Sequence, residues 1–414
     1  MSERVPEGWA YNPLSLLADI DKDSLKTSTD PDYRFRYIDI ASVSTGQVKL
    51  PSEYIKFSDA PSRARRKLQQ GDVLMSTVRP NLKAFAYFNV SETDFVASTG
   101  FSVIRAKNGN DGRFIFNTIL GDDISSQIDS LVVGSNYPAI NSSDVKNLEV
   151  LTPTPTEQQK IAKILTSVDE VIEKTQAQID KLKDLKTGMM QELLTQGVGV
   201  DGKPHTEFKD SPVGRIPKAW ECLPLSKVAK LERGKFSHRP RNDPAFYNGL
   251  IPFLQTGDVP KESPHITAYS QTLNDNGLKV SKLFASGTLV ITIAATIGEI
   301  GILTFDSCFP DSLVGISVDQ KKALPMYVLY VMRHLKNELD LLAPQTAQKN
   351  INLDILNPFE IPVPPIEEQR HISQMLSSID GRIDTLKLKL NKTNDTKKAL
   401  MQDLLTGKVR VTID

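Results

Sequence analysis

Three short stretches carry the kinds of residue that do chemistry. FPDSLVGISVDQK supplies Asp311, Asp319 and Lys321, a loose PD…DxK set of the nuclease type. Its spacing is short, and such sets arise easily in strand-rich sequence. GVGVDG, from Gly197 to Gly202, spells G-x-G-x-x-G. A dinucleotide site needs a strand before that motif and a helix after it. Here a helical pattern precedes it and a polar linker follows. LNPFE, from Leu356 to Glu360, falls one proline short of the Asn-Pro-Pro-aromatic motif of amino-methyltransferases. There is no P-loop, no H-E-x-x-H and no nucleophile with a matching base. The five histidines are scattered without ligand pairing. Cys222 and Cys308 lie far apart, which suits buried or free thiols in a reducing cytoplasm. No catalytic set is expected.

The elements that would position a site are repeated. RVPEGW (Arg4–Trp9) returns as RIPKAW (Arg215–Trp220), a shift of 211. The same offset relates Pro13-Leu14 to Pro224-Leu225, and Ile140-Asn141 to Ile351-Asn352. It relates EQQKIAKILTSVDEVI at Glu157 to EQRHISQMLSSIDGRI at Glu368, and MQELLT at Met190 to MQDLLT at Met401. One offset held at both ends of two unlike interiors indicates a tandem duplication.

Two long helices follow from spacing. Ile161, Leu165, Val168, Ile172, Ile179 and Leu182 keep a 4,3 heptad step, as do Ile372, Leu376, Ile379, Ile383, Leu386 and Leu390. Proline-rich entries, TPTPTEQ and PVPPIEEQ, stop each helix from extending backwards, and glycine after LLT suits its end. Lys186 and Lys397 share a seam position. They either snorkel near a frayed end or fix register. The variable regions read as mixed α and β. GDVLMSTV, KAFAYFNV, GTLVITIA and EIGILTF are strand-like; GRFIFNTILGDDISSQIDSL and PMYVLYVMRHLKNELDLL are helical.

With 50 basic and 50 acidic residues the chain lacks a broad basic coat, so any DNA contact rests on local patches or a partner. The opening MSERVPEGWAYN has no apolar h-region. The longest apolar stretch, Leu289–Leu303, is too short for a bilayer and holds Glu299. A cytoplasmic protein with no membrane contact is expected.

This order of motifs resembles the specificity subunit of type I restriction–modification systems. The carriers are the R-x-P-x-x-W openings, the P-x-P…EQ helix entries and the MQ[ED]LLT ends, with QTGDV at Gln255, STVRPNLKAFAY at Ser76 and QKNI at Gln348. The resemblance implies an α+β fold: two α/β target-recognition domains in tandem pseudo-two-fold repeat, separated by two long helices packed as an antiparallel coiled coil. The divisions would be domain 1 over 1–152, spacer helix over 153–196, linker over 197–212, domain 2 over 213–363, spacer helix over 364–407 and a tail over 408–414. It implies a non-enzymatic chain reading bipartite double-stranded DNA, one half-site per domain. Two methyltransferase (modification) subunits and restriction motor-nuclease subunits would dock on it. S-adenosylmethionine, ATP and Mg²⁺ would belong to those partners, with no cofactor or metal on this chain.

Candidate DNA contacts follow from residue type. In the first domain they are the basic run Arg63, Arg65, Arg66 and Lys67, then Arg79 and Asn81 at a strand-connecting loop. In the second, Lys235, His238, Arg239 and Arg241 alternate with Phe236 and Pro240, as along phosphates. Gln345, Gln348, Lys349 and Asn350 carry base-reading and phosphate-binding groups. Two other classes compete. A coiled-coil structural adaptor explains the helices but not two diverged domains of equal length. A PD-DxK-like nuclease would use Asp311, Asp319 and Lys321.

Overall fold

The computed structural model describes residues 5–132, 138–294, 296–344 and 349–413. The chain divides into two compact units. The first joins residues 1–176 to 389–414, and the second is residues 177–388. Both boundaries fall inside the long helices, Pro155–Leu193 and Ile366–Leu405. Each unit therefore holds one variable domain and a stretch of both helices.

The duplication is explicit in sheet topology. In the first unit a mixed sheet runs Ile55–Lys56, Arg34–Ile38, Phe95–Ser98, Ala64–Lys67. Its pairings are antiparallel, parallel, antiparallel. In the second unit Gln271–Leu273, Tyr247–Phe253, Ser307–Cys308 and Leu283–Phe284 repeat that order and those directions. A second, antiparallel sheet is Ala18–Ile20, Phe101–Ala106, Val73–Ser76, Phe85–Tyr87. Its counterpart is Ala229–Arg233, Leu313–Val318, Leu289–Thr292, Ile300–Leu303, extended by His265–Ile266. The strand-like segments read from sequence supply strands of these sheets, with Phe85–Tyr87 at an edge. Val73–Ser76 and Leu289–Thr292 are buried at every position, so they read as apolar runs without alternation. The helical segments form Gly112–Leu120 with Asp122–Leu131, and Pro325–His334 with Lys336–Leu341.

The helix pairs are antiparallel. Lys186 Nζ lies 2.6 Å from Asp380 Oδ1 in the second unit, and Lys397 Nζ lies 2.6 Å from Asp169 Oδ1 in the first. The residue numbers of each pair add to 566, so both units share one helix register. The two lysines are thus interhelical partners and not frayed-end snorkels. Asp380 also accepts from the Tyr330 hydroxyl (2.6 Å). Ile161, Leu165, Ile179, Ile372, Leu376, Ile379 and Ile383 are buried. Val168, Ile172, Leu182, Leu386 and Leu390 are half-buried.

The duplicated Glu-Gln at each helix entry has a physical role that the sequence reading left unassigned. Gln158 accepts from the Asp111 N–H (3.0 Å) and donates to the Pro153 carbonyl (3.2 Å). Gln369 accepts from Leu324 N–H (2.8 Å) and donates to the Lys322 and Pro364 carbonyls. Each glutamine thereby ties its helix to the loop before the domain's own helix pair. The glutamates are buried carboxylates. Glu368 accepts from Trp220 Nε1 (2.9 Å) and from the Val198 and Gly199 N–H groups (3.0 Å each), with His205 Nε2 at 2.8 Å. The glycine-rich GVGVDG therefore cradles an anion, but the anion is a side chain of its own unit. Gly197 sits at φ +72°, where a Cβ would come within 2.4 Å of Glu368 Oε1. The segment read as a linker is ordered, and its end, Phe208–Ser211, forms a hairpin with Gly214–Pro217 at the start of the second domain.

Glu157 is the counterpart. It accepts from Trp9 Nε1 (3.4 Å) and caps its helix through Thr154 (3.0 Å). Arg410 of the C-terminal segment grips its Oε1 through Nε and Nη2 (2.8 and 2.5 Å). Burial alone would raise the Glu157 carboxyl. The bonds from Arg410, Thr154 and Trp9 outweigh burial and hold it below the usual range.

Candidate nucleic-acid interface

The basic run of the first domain lies on the strand Ala64–Lys67 and the residue before it. Strand alternation sends Arg66 to the face opposite Arg65 and Lys67. Arg66 is engaged within the fold, with Nη2 3.0 Å from Asp21 Oδ2 and Nη1 3.2 Å from Ser24 Oγ. Arg65 is half-buried, its guanidinium 4.7 Å from the Phe57 ring centroid. Arg63 and Lys67 are exposed and make no ion pair among the described residues. Arg79 and Asn81 are exposed at the turn Pro80–Leu82. Arg79 and Lys83 flank that turn at φ +49°, a left-handed conformation rare for residues with a Cβ. The Arg79 N–H donates to Pro138 (2.8 Å) and Lys83 Nζ to Leu120 (3.0 Å), which hold the turn.

The sequence reading passed over Arg36, which packs over the Phe95 ring (3.9 Å) and near Tyr54 (5.5 Å). It grips Asp94 with two bonds of 3.0 and 2.8 Å, and the Arg36 hydrogen bond holds the Asp94 carboxyl at about 2. No motif pointed to it, because its partner is 58 residues away.

In the second domain the run from Lys235 to Arg241 is a loop between Ala229–Arg233 and Tyr247–Phe253. His238 stacks on Phe246 (ring centroids 4.0 Å) with Nε2 3.0 Å from Asp243. Arg239 donates to the Phe236 and His238 carbonyls (2.6 and 2.8 Å). Arg241, half-exposed, reaches Asp311 (2.6 Å). Lys235 is exposed and free of ion pairs among the described residues. The structure thus brings these four together as one shaped loop. Lys349 pairs with Asp340 (3.2 Å), and Asn350 forms a bridge with Ala294. Gln345 and Gln348 lie outside the described residues.

The nuclease set does not assemble. Asp311 precedes the strand Leu313–Val318 and Asp319 follows it. The six-residue strand between them holds the carboxylates roughly 20 Å apart. Asp311 is spent on Arg241, and Asp319 receives the Lys321 N–H (3.1 Å). No cluster of metal-binding side chains occurs among the described residues. Neither thiol is in a disulfide; burial, with Glu360 beside it, pushes Cys222 up to about 11. No helix is long and apolar enough to cross a membrane among those described.

Two domains of matching core sheet order, each latched to an antiparallel helix pair, carry exposed cations on unlike surfaces. Residues 6–184 and 217–394 match the type I restriction modification DNA specificity domain. The chain belongs to this family: it is a specificity subunit of a type I restriction–modification system, which recognises DNA sequence and performs no catalysis itself. It is 26% identical over 416 residues to a putative type I restriction enzyme MjaX specificity subunit of Methanocaldococcus jannaschii, covering 98% of this chain and 95% of that one. A Haemophilus influenzae relative, the HindI specificity subunit, is 22% identical, covering 90% and 95%. Among solved structures, the S subunit from M. genitalium matches with a TM-score of 0.61 at 13% identity, covering 100% and 99%. A chain solved in a study of complex assembly and conformational transition of the type I R-M system matches at 0.60 and 23%, covering 98% and 100%. Both share the fold.

Proposed function

We propose that this subunit reads a bipartite DNA target, one half-site per variable domain, with the long helices setting the gap. The observation that carries this is one sheet topology used twice, on one helix register, with different side chains on the two copies. Unlike faces on a shared frame suit two different half-sites and a target that is not a palindrome. Two modification subunits would dock on the duplicated frame and motor-nuclease subunits on the resulting complex, in the cytoplasm. S-adenosylmethionine, ATP and Mg²⁺ would be held by those partners. Arg63, Lys67, Arg79, Asn81, Lys235, Arg241 and Lys349 would follow phosphates or base edges, while Arg66 supports the fold.

The test is domain exchange. Residues 213–363 are replaced by the matching segment of another family member, and methylated sites are mapped in cells carrying the full operon. One half-site should change and the other stay. If both change together, the division of labour is wrong.

A further inference from the structure

The second domain contains a concave pocket of about 700 Å³ on its mixed sheet. Aromatic rings of Phe236, Tyr247, Phe253 and Tyr269 line it, and no carboxylate does. Two glutamines meet there. Gln271 starts the strand Gln271–Leu273, paired opposite Phe253 of Tyr247–Phe253. Gln255 follows that second strand by two residues. Gln255 Nε2 donates to Gln271 Oε1 at 3.0 Å.

We infer that Gln255 and Gln271 act as one base-reading unit that selects an adenine in the half-site of the second domain. This rests on the DNA-reading function proposed above. The bond between the two amides uses one donor group and one acceptor. It leaves a carbonyl on one side chain and an NH₂ with outward capacity on the other. Exchanging O and N in both amides leaves the same complement. Adenine is the one base whose major-groove edge presents a donor beside an acceptor, N6–H and N7. Guanine presents two acceptors, thymine an acceptor and a methyl, and cytosine a donor.

The unit is preorganised. Asp258 Oδ2 accepts from the Gln255 N–H (2.7 Å) and from the Ser270 N–H and hydroxyl (3.2 and 2.8 Å). One carboxylate therefore fixes the backbone at Gln255 and at the neighbour of Gln271, which makes Asp258 a positioning residue. Tyr269 is braced edge-on by Phe305 (5.3 Å). Arg241 stands at the rim, half-exposed, where it can exchange Asp311 for a phosphate. The first domain lacks this unit. The residue after its strand Arg34–Ile38 is Asp39, whose carboxylate caps the turn Ile40–Ser42 through Ser42. The two half-sites should differ at this position.

The experiment uses the full chain in its reconstituted modification complex, with selection of bound sequences from randomised duplex DNA. Gln255→Ala and Gln271→Ala should each relax one adenine of the second half-site, lowering discrimination there roughly tenfold to hundredfold. The first half-site should stay as it was. Gln271→Glu, at an exposed position, replaces the outward donor by acceptors and should shift the preference from adenine to cytosine. An unchanged second half-site in these variants overturns the inference, as does relaxation at a non-adenine position or in the first half-site. If the unmodified complex selects no sequence at all, the DNA-reading function itself has failed.

Discussion

Arg410→Ala tests how the C-terminal segment holds the first unit. Glu157 is 1% exposed and Arg410 supplies two of its hydrogen bonds, while the Arg410 side chain is 42% exposed. Hydrogen bonds to a charged group contribute about 1.5–3 kcal/mol each, and breaking a buried ion pair costs about 3–5 kcal/mol. Thr154 and Trp9 still donate after the substitution, and solvent screens the exposed guanidinium. The expected loss at pH 7 is therefore about 2–3 kcal/mol. For a unit of this size that is roughly 4–12 °C in Tm. The sign with pH is more diagnostic than the size. In the native protein the Glu157 carboxyl titrates below its unfolded value. Its stabilisation is present above about pH 4.3 and lost as pH falls through the lower folded pKa. Without Arg410 the lowering loses its largest cause, so the variant's folded pKa lies higher and less of the charged-form stabilisation remains above it. Calorimetry from pH 4 to 8 should show a deficit that is widest near neutrality and narrows toward pH 4. A deficit independent of pH, or none, would refute this account of the latch.

Three further outcomes follow from the same geometry. Leu165 and Leu376 occupy equivalent, fully buried helix positions, so Leu→Ala at either should cost about 2–5 kcal/mol, measured by denaturant unfolding. With its thiol near 11, Cys222 should react with a thiol reagent at pH 8 roughly two hundredfold more slowly than an unperturbed cysteine, and Glu360→Gln should speed it. The purified chain should leave plasmid DNA intact with Mg²⁺, and Asp311→Ala should change nothing; cleavage abolished by that substitution would restore the nuclease reading.

The frame was legible because its constraints repeat. Glu157 and Glu368, Trp9 and Trp220, and the heptad steps appear twice at one offset, so the duplication and the helices could be read without coordinates. The chemistry of the Glu-Gln pair was not legible. It depends on contacts to Gly199, His205 and Arg410, which lie up to 253 residues away in sequence. The candidate interface was harder still. Arg63, Arg65, Arg66 and Lys67 look alike as a string, yet strand alternation assigns Arg66 to Asp21 and leaves Arg63 and Lys67 in solvent. Gln255 stood inside a recognised family segment, but its partner Gln271 is 16 residues on, on the neighbouring strand.

The same physics separates what the two copies share from where they differ. A buried carboxylate must keep its donors, so Glu157 and Glu368 allow few alternatives even though one uses a guanidinium and the other backbone N–H groups and an imidazole. Gly197 is fixed for the same reason, since any Cβ would strike that carboxylate. The side chains after the equivalent strands are less enclosed: Asp39 caps its turn through Ser42, whereas Gln255 is half-buried and bonds to Gln271 on the neighbouring strand. Changing Gln255 or Gln271 therefore costs the fold little while altering what meets the base edge. A recognition protein built this way can change what it reads by surface substitution, with the duplicated latches and helix register left as they are.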